Sequence, residues 1–219
     1  MITNCVVSSR WRNDNKEELH MKKAWTTRQV TLLGLLSALV IILSVTPLGY
    51  LRIGMLSITL NMIPVGVAAI VLGPLGGAVT GAVFGLTSFA SAMTGGSPLL
   101  VILLGIHPVL TFVQCFLPRF LMGLTIGLVH RWITPMLGKD KSCYLVGFLS
   151  AFLNTVFFMT ALVLMFGNTE YLQSLIGGRN VLLFMCTYVG INAVLEMLCA
   201  TVVVGVLGRT LEKAHILGR

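Results

Sequence analysis

Two charged side chains stand deep inside apolar stretches of this sequence. Arg119 and Glu196 each lie about 20 Å into a long hydrophobic run, at about 1.5 Å per helical residue. A charge in hydrocarbon costs at least about 2.5 kcal/mol on insertion scales, so each needs a partner or a wet cavity. The simplest arrangement is an Arg119–Glu196 salt bridge. The alternative is that Arg119 binds an anionic substrate and Glu196 orients it.

Neutral polar side chains accompany these charges. Tyr188, Asn192 and Glu196 recur every four residues, which places them on one face of a helix. Gln114 is about 140° from Arg119 at 100° per residue, so the two should not face the same neighbour closely. Because these polar groups concentrate in a few segments, a site for a polar solute is favoured over isolated interhelical hydrogen bonds. The candidate substrate-binding residues are Arg52, Thr87, Ser88, Gln114, Arg119, Asn154, Tyr188, Asn192 and Glu196.

Sequence motifs for catalysis are absent. The nearest approach to a phosphate-binding loop is Gly138-Lys139, but Ile133 replaces its first glycine and Asp140 follows the lysine. The five cysteines form no C-x-x-C pair, and no carboxylate cluster could hold a metal. We therefore expect no enzymatic activity, no metal and no cofactor, and a binding or transport role.

Composition identifies the environment of these residues. The chain has 219 residues, of which 56% are hydrophobic and only 10% charged, whereas soluble domains carry about 25% charged residues. A net charge of +8 would suggest nucleic acid as the partner of a soluble protein. Here the basic residues collect at the ends of apolar segments. These features exclude a soluble enzyme, a nucleic-acid-binding domain and a disordered chain, and they indicate a protein of the lipid bilayer.

Six apolar segments are readable, at about 29–45, 59–72, 75–93, 100–130, 143–166 and 181–208. Placing the N-terminus in the cytoplasm puts twelve of the fifteen basic residues inside and only Arg52 and Arg179 outside, as the positive-inside rule requires. The predicted fold is an all-α integral membrane protein, a compact bundle of six transmembrane helices with both termini cytoplasmic. The expected organisation is a polar, partly disordered extension at 1–28, a substrate-binding domain at 29–210 and a tail at 211–219.

Connections and small-residue faces complete the pattern. The outer connections 46–58, 94–99 and 167–180 are rich in glycine, which is typical of a lid over an outward-facing cavity. His107, before Pro108, is expected to cap a helix or lie in a loop. The glycines at 73, 77, 81 and 85 form a flat helix face, which should pack against another helix of the same bundle. Gly34 and Ala38 form a shorter flat face that could meet another subunit.

These features together resemble the substrate-binding S component of energy-coupling factor (ECF) vitamin transporters, over about 28–210. The stretches that carry the resemblance are Thr46-Pro-Leu-Gly-Tyr50, Ile63-Pro-Val65, Leu72-Gly-Pro74, Pro118-Arg119 with Gly123, Asn154-Thr155, and Asn192 with Glu196. The resemblance implies capture of a vitamin at the outer face of a bacterial plasma membrane. It also implies docking on a membrane coupling subunit driven by two cytoplasmic ATPases. The family's A-x-x-x-A docking pattern corresponds to Gly34 and Ala38, with glycine replacing the first alanine.

The segment from Thr46 through Phe84-Gly-Leu-Thr-Ser-Phe89 looks most like the pantothenate-type branch. Pantothenate is a small anion with hydroxyl and amide groups, which amide and hydroxyl side chains plus an arginine would suit. Phe157 and Phe158 offer stacking surface, so riboflavin stays open. The alternative function is a self-sufficient, ion-coupled secondary transporter of a small polar solute, although the two related halves of such transporters are not evident.

Overall fold

The structure is a computed structural model of the chain, and it describes residues 25–46, 50–53, 56–170, 172–173 and 181–213. At 50–53, 56–58, 181–192 and 212–213 the backbone alone is described. The chain divides into two units, 1–32 and 33–219. Within the first, the N–H of Thr26 donates to Oε1 of Gln29 at 3.0 Å, half of a capping box at a helix start. The predicted extension at 1–28 lies largely outside the described residues, and the domain boundaries stay predictions.

Seven helices and one hairpin make up the described part of the chain. They are α1 Thr27–Val45, β1 Tyr50–Ile53, β2 Leu56–Thr59, α2 Met62–Val71, α3 Gly73–Met93, α4 Pro98–Ile106, α5 Pro108–Leu137, α6 Lys139–Phe166 and α7 Val181–Lys213. The two strands are antiparallel, with Tyr50 opposite Thr59. A positive φ of 77° at Gly73 permits the tight turn between α2 and α3.

The apolar helices have the lengths that a bilayer requires. Among the described residues, α1, α3, α5, α6 and the Ala193–Leu211 part of α7 are long and apolar enough to cross a membrane, and α2 is a shorter apolar helix. The expected all-helical membrane fold is confirmed, with the hairpin as a small addition. The cytoplasmic location of the termini remains a prediction.

Two expectations about the segments need correction. The apolar run at 100–130 is not one helix: α4 ends at Ile106, His107 is extended at φ −154° and ψ 101°, and α5 begins at Pro108. Proline disfavours the helical conformation of the residue before it, which favours a break at His107. The predicted cap or loop position of His107 is confirmed. The first outer connection was read as a glycine-rich loop, but it contains the β1–β2 hairpin.

The glycine face of α3 packs directly against the backbone of α5. A Cβ atom at Gly77 would overlap the carbonyl oxygen of Gly123, and one at Gly81 would overlap that of Arg119. A Cβ at Gly85 would lie 2.7 Å from Cα of Phe116. Only glycine allows backbones to approach this closely. The prediction that this face meets a helix of the same bundle is confirmed, and it places Arg119 beside the middle of α3.

The short helix α2 forms the centre of the bundle. Eight of its ten residues are buried, and it contacts α3, α5, α6 and α7. A helix that is apolar on all sides can pack against protein or lipid, and the burial of α2 shows that protein surrounds it. The longer helices therefore enclose α2, and the residues at its start lie in the interior of the protein.

Candidate ligand-binding site

Arg119 lies in the middle of α5 and has 7% of its surface exposed. Its guanidinium carbon is 5.5 Å from the ring centroid of Phe84 on α3 and 4.7 Å from that of Phe158 on α6. Aromatic faces attract cations, by about 2 kcal/mol when the pair is desolvated. This attraction stabilises the guanidinium among apolar helices. Three helices thus hold one cation at a common point.

A break in the hydrogen bonds of α5 positions this arginine. Pro118 lies inside α5 and has no N–H, so it cannot donate to the carbonyl of Gln114 four residues earlier. Nη1 of Arg119 donates to that carbonyl at 3.0 Å instead. The side chain of Gln114 is fully buried, and its Nε2 donates to the carbonyl of Phe158 at 2.8 Å.

The expectation that Gln114 and Arg119 would not face a common neighbour is therefore wrong. Both contact Phe158, one through the peptide carbonyl and the other through the ring. The angle about the helix axis separates their Cβ atoms, but an arginine side chain is long enough to fold back along the helix. Pro118 leaves the carbonyl of Gln114 without its usual donor, and a hydrogen bond to this carbonyl stabilises the folded-back arginine.

The expected Arg119–Glu196 salt bridge is also wrong, since these two described side chains do not pair with each other. Oε1 of Glu196 accepts a hydrogen bond of 2.7 Å from the N–H of Thr59, the last residue of β2. The carboxylate on α7 is therefore bound to the end of the β1–β2 hairpin, whereas Arg119 is bound between α3 and α6. The sequence placed both charges in the membrane interior but could not assign their partners.

The remaining predicted residues fall into three groups. Ser88 is buried on α3 and lies beside Cys115 of α5, the residue that follows Gln114. Thr87 is instead engaged outside this cluster, because its hydroxyl accepts from Ser44 on α1 at 2.9 Å and donates to the carbonyl of Phe84. The third group has side chains that lie outside the description: Arg52 on β1, and Tyr188 and Asn192 on α7.

Three amide side chains have buried polar atoms that find no hydrogen-bond partner within the described structure. These atoms are Oε1 of Gln114, Oδ1 of Asn154, and both Nδ2 and Oδ1 of Asn61. Buried polar atoms in proteins are nearly always hydrogen-bonded, so such a concentration calls for a ligand or water. Gln114 and Asn154 were predicted as site residues, but Asn61 was missed. Its available signal was an isolated amide immediately before the apolar run Met62-Ile63-Pro64.

Comparison with known proteins identifies the family. The sequence matches the family described as "ECF transporter, substrate-specific component" over residues 28–208.

This chain belongs to that family.

The S component assignment agrees with the fold. A solved structure of ThiT from Listeria monocytogenes is similar to this chain, with a TM-score of 0.58 and 19% sequence identity over 84% of this chain and 95% of that one. No curated protein matches the sequence. The S component is a membrane-embedded transport subunit that binds substrate, and it is not an enzyme. The polar cluster around Arg119 is the candidate for its substrate site.

Proposed function

We propose that this S component captures a small anionic vitamin, with pantothenate as the best candidate, and delivers it through an ATPase-driven partner module of a bacterial plasma membrane. The observation that carries the proposal is the guanidinium of Arg119, held between the Phe84 and Phe158 rings. Arginine remains charged at all physiological pH values and presents five N–H donors, which suits a carboxylate. A buried cation of this kind disfavours a cationic vitamin such as thiamine by direct repulsion.

The neutral groups near Arg119 favour a ligand that brings hydrogen-bond donors. The orientation of the Gln114 amide is fixed, because its NH₂ group must face the carbonyl of Phe158. Oε1 of Gln114 is therefore an acceptor, and it has no donor among the described residues. Oδ1 of Asn154 on α6 is in the same condition. Pantothenate carries two hydroxyl groups and an amide N–H, and so supplies donors as well as an anion.

Riboflavin is the less suitable vitamin for this cluster. A flavin ring system needs a free aromatic face on which to stack, and Phe158 is the aromatic residue of α6 that faces the cluster. The guanidinium of Arg119 lies over its ring at 4.7 Å from the centroid. Because that face is used to hold the arginine, it supports a compact anion better than a planar ring system.

The partner module is proposed to dock on α1. Only Leu36 and Val40 are buried on this helix, whereas Gly34 and Ala38 are exposed. A Cβ at Gly34 would meet nothing within 4 Å. The flat Gly34–Ala38 face therefore remains open to a second protein, in contrast to the glycine face of α3. Small residues allow such a partner helix to approach closely.

Binding measurements on the purified chain test the proposal. Titration calorimetry in detergent should show binding of pantothenate and much weaker binding of panthenol, in which an alcohol replaces the carboxylate. Riboflavin and thiamine serve as the competing vitamins. Tighter binding of thiamine or riboflavin than of pantothenate, or equal binding of pantothenate and panthenol, would refute the anionic assignment. Concentrative uptake by the chain alone in liposomes would refute the dependence on a partner module and favour secondary transport.

A further inference from the structure

Asn61 occupies the interior of the protein at the start of α2, and its side-chain amide is unmatched, which means that it has no hydrogen-bond partner among the described residues. The residue is 0% exposed, and neither Nδ2 nor Oδ1 has a hydrogen-bond partner in the described part of the chain. An amide offers donor and acceptor groups, and proteins rarely bury both unused. Met62 and Pro64, which follow it, are buried as well. The amide therefore lies in an apolar region, where it needs a hydrogen-bond partner that is not provided by general contact with water.

Helix capping does not explain this asparagine. Asparagine is among the preferred residues at the position before a helix, where its side chain accepts from a backbone N–H of the first turn. Here the side chain makes no such bond, and the backbone is already helical at φ −62° and ψ −21°. The N–H of Ile63 donates to the carbonyl of Leu60 instead. The start of α2 is thus satisfied without the amide of Asn61.

Helix contacts place Asn61 in the same layer as Asn154. A Cβ at Gly66 would lie 3.7 Å from Oγ of Ser150, so these two residues are level on α2 and α6. Asn61 precedes Gly66 by five residues, or about 7.5 Å of helix. Asn154 follows Ser150 by four residues, or about 6 Å, on a helix that runs the opposite way. Both unmatched amides therefore lie on the same side of this contact and at nearly equal depth.

Arg119 lies within about one helical turn of the same depth. A Cβ at Gly127 would meet the backbone nitrogen of Pro74 at 2.8 Å, which makes Gly127 level with the α2–α3 turn. Arg119 precedes Gly127 by eight residues and is about 12 Å from that turn. Asn61 is about 15 Å from the turn along α2. The unmatched amide, the acceptor oxygens and the cation therefore occupy one layer of the bundle.

We propose that Asn61 is a further ligand-binding residue, which pairs with a donor and an acceptor on one edge of the bound molecule, such as an amide N–H and the hydroxyl oxygen on the carbon beside the amide carbonyl. An asparagine side chain can form two parallel hydrogen bonds with a group that presents both functions side by side. This inference rests on the proposed function, because pantothenate carries a secondary amide a few bonds from its carboxylate. The carboxylate would face Arg119 and the amide would face Asn61.

The test uses the full chain with Asn61→Leu, which keeps the branched shape of the side chain and removes both polar atoms. Thermal unfolding without ligand should be unchanged or shifted upward, because an unmatched buried amide destabilises the ligand-free protein. The affinity for pantothenate should fall about tenfold or more, as expected for lost hydrogen bonds in a buried site. N-methylpantothenate, which lacks the amide N–H, should bind the wild type weakly, and the variant should lose less affinity for it than for pantothenate. Asn168→Leu, at an exposed position, is the matched control and should change neither quantity.

A lower unfolding temperature without ligand, together with unchanged affinity for pantothenate, would overturn the inference and show that water satisfies the amide. If the leucine variant does not fold, Asn61→Ala is measured with the same criteria. If the wild type binds no pantothenate, the proposed vitamin is wrong, and native mass spectrometry of protein purified from cells then decides about Asn61. A retained small molecule that is present in wild type and lost in the variant supports the assignment. Equal retention, or none in either protein, overturns it.

Discussion

Nη1 of Arg119 donates a 3.0 Å hydrogen bond to the carbonyl oxygen of Gln114 on the same helix. That carbonyl is the one from which Pro118 withholds the usual helical N–H. Proline and arginine thus act as a pair: the first leaves an acceptor without its donor, and the second uses it to fix the guanidinium between Phe84 and Phe158. The long side chain is thereby held in one position, as the proposed binding of an anion requires.

This relationship predicts that Pro118 and Arg119 are energetically coupled. Arg119→Ala should lower the stability of the ligand-free protein by about 1–3 kcal/mol, because it leaves a buried carbonyl unsatisfied. In a Pro118→Ala background the new N–H can bind that carbonyl, so the same change should cost about 1 kcal/mol less. Thermal unfolding of the two single variants and the double variant measures the coupling. Strictly additive effects would show that Arg119 does not depend on the proline.

A second prediction concerns the charges of Arg119 and Glu196. Because Arg119 and Glu196 each have their own partners, exchanging the two residues should not restore the stability that either single substitution removes. The double variant Arg119→Glu with Glu196→Arg should be less stable than either Arg119→Ala or Glu196→Ala, since both charges then lose their partners in a low-dielectric region. Recovery of thermal stability or of vitamin binding in the exchanged variant would mean that the two groups do form a salt bridge.

The hydrogen bond between Glu196 and Thr59 should hold the β1–β2 hairpin near α7. Glu196→Gln keeps an acceptor for the Thr59 N–H and should retain much of the affinity for pantothenate, whereas Glu196→Leu removes the acceptor. The leucine variant should show faster hydrogen exchange at the Thr59 amide and faster ligand release. Hydrogen-exchange mass spectrometry over the peptide containing 50–60 and stopped-flow release of bound ligand provide the two measurements. Identical exchange in all three proteins would contradict this role.

The α3–α5 contact gives the clearest prediction for stability. Gly81→Ala should destabilise the protein by about 1–3 kcal/mol or more, because its Cβ would overlap the carbonyl of Arg119 and neither backbone can move freely. Gly105→Ala on α4 is the matched control, since a Cβ there meets nothing within 4 Å. Unfolding temperatures in detergent compare the two. Equal temperatures would show that the helices separate without cost.

The exposed face of α1 should separate binding from transport. Gly34→Leu or Ala38→Leu should leave the affinity for pantothenate unchanged, because α1 carries none of the residues of the Arg119 cluster. Either change should abolish uptake in cells that contain the coupling subunit and the two ATPases, since leucine fills the flat face where the partner would dock. Affinity and uptake are measured on the same variants. A parallel loss of both would indicate that this face packs within the bundle.

The sequence alone determined the bilayer environment, the apolar segments and the internal use of the α3 glycines, because each depends on composition or on a period along one helix. It also indicated the break at His107, although the run from Leu100 was read as one helix across it. Hairpin pairing at 50–59 was not predicted, since a short strand in a glycine-containing connection has no distinctive pattern.

Tertiary structure alone decided which polar groups meet. Depth along a helix follows from counting residues, and Arg119 is buried as that count predicts, whereas Glu196 is only partly buried. Their partners depend on how each helix is rotated and on how far a long side chain can reach, and neither is encoded locally. The carbonyl of Gln114 became a partner of Arg119 only through Pro118 and the rings of two other helices. The same holds for Asn61. In the sequence, an asparagine before an apolar run resembles a helix cap, and only the structure shows that it is buried and makes no capping hydrogen bond.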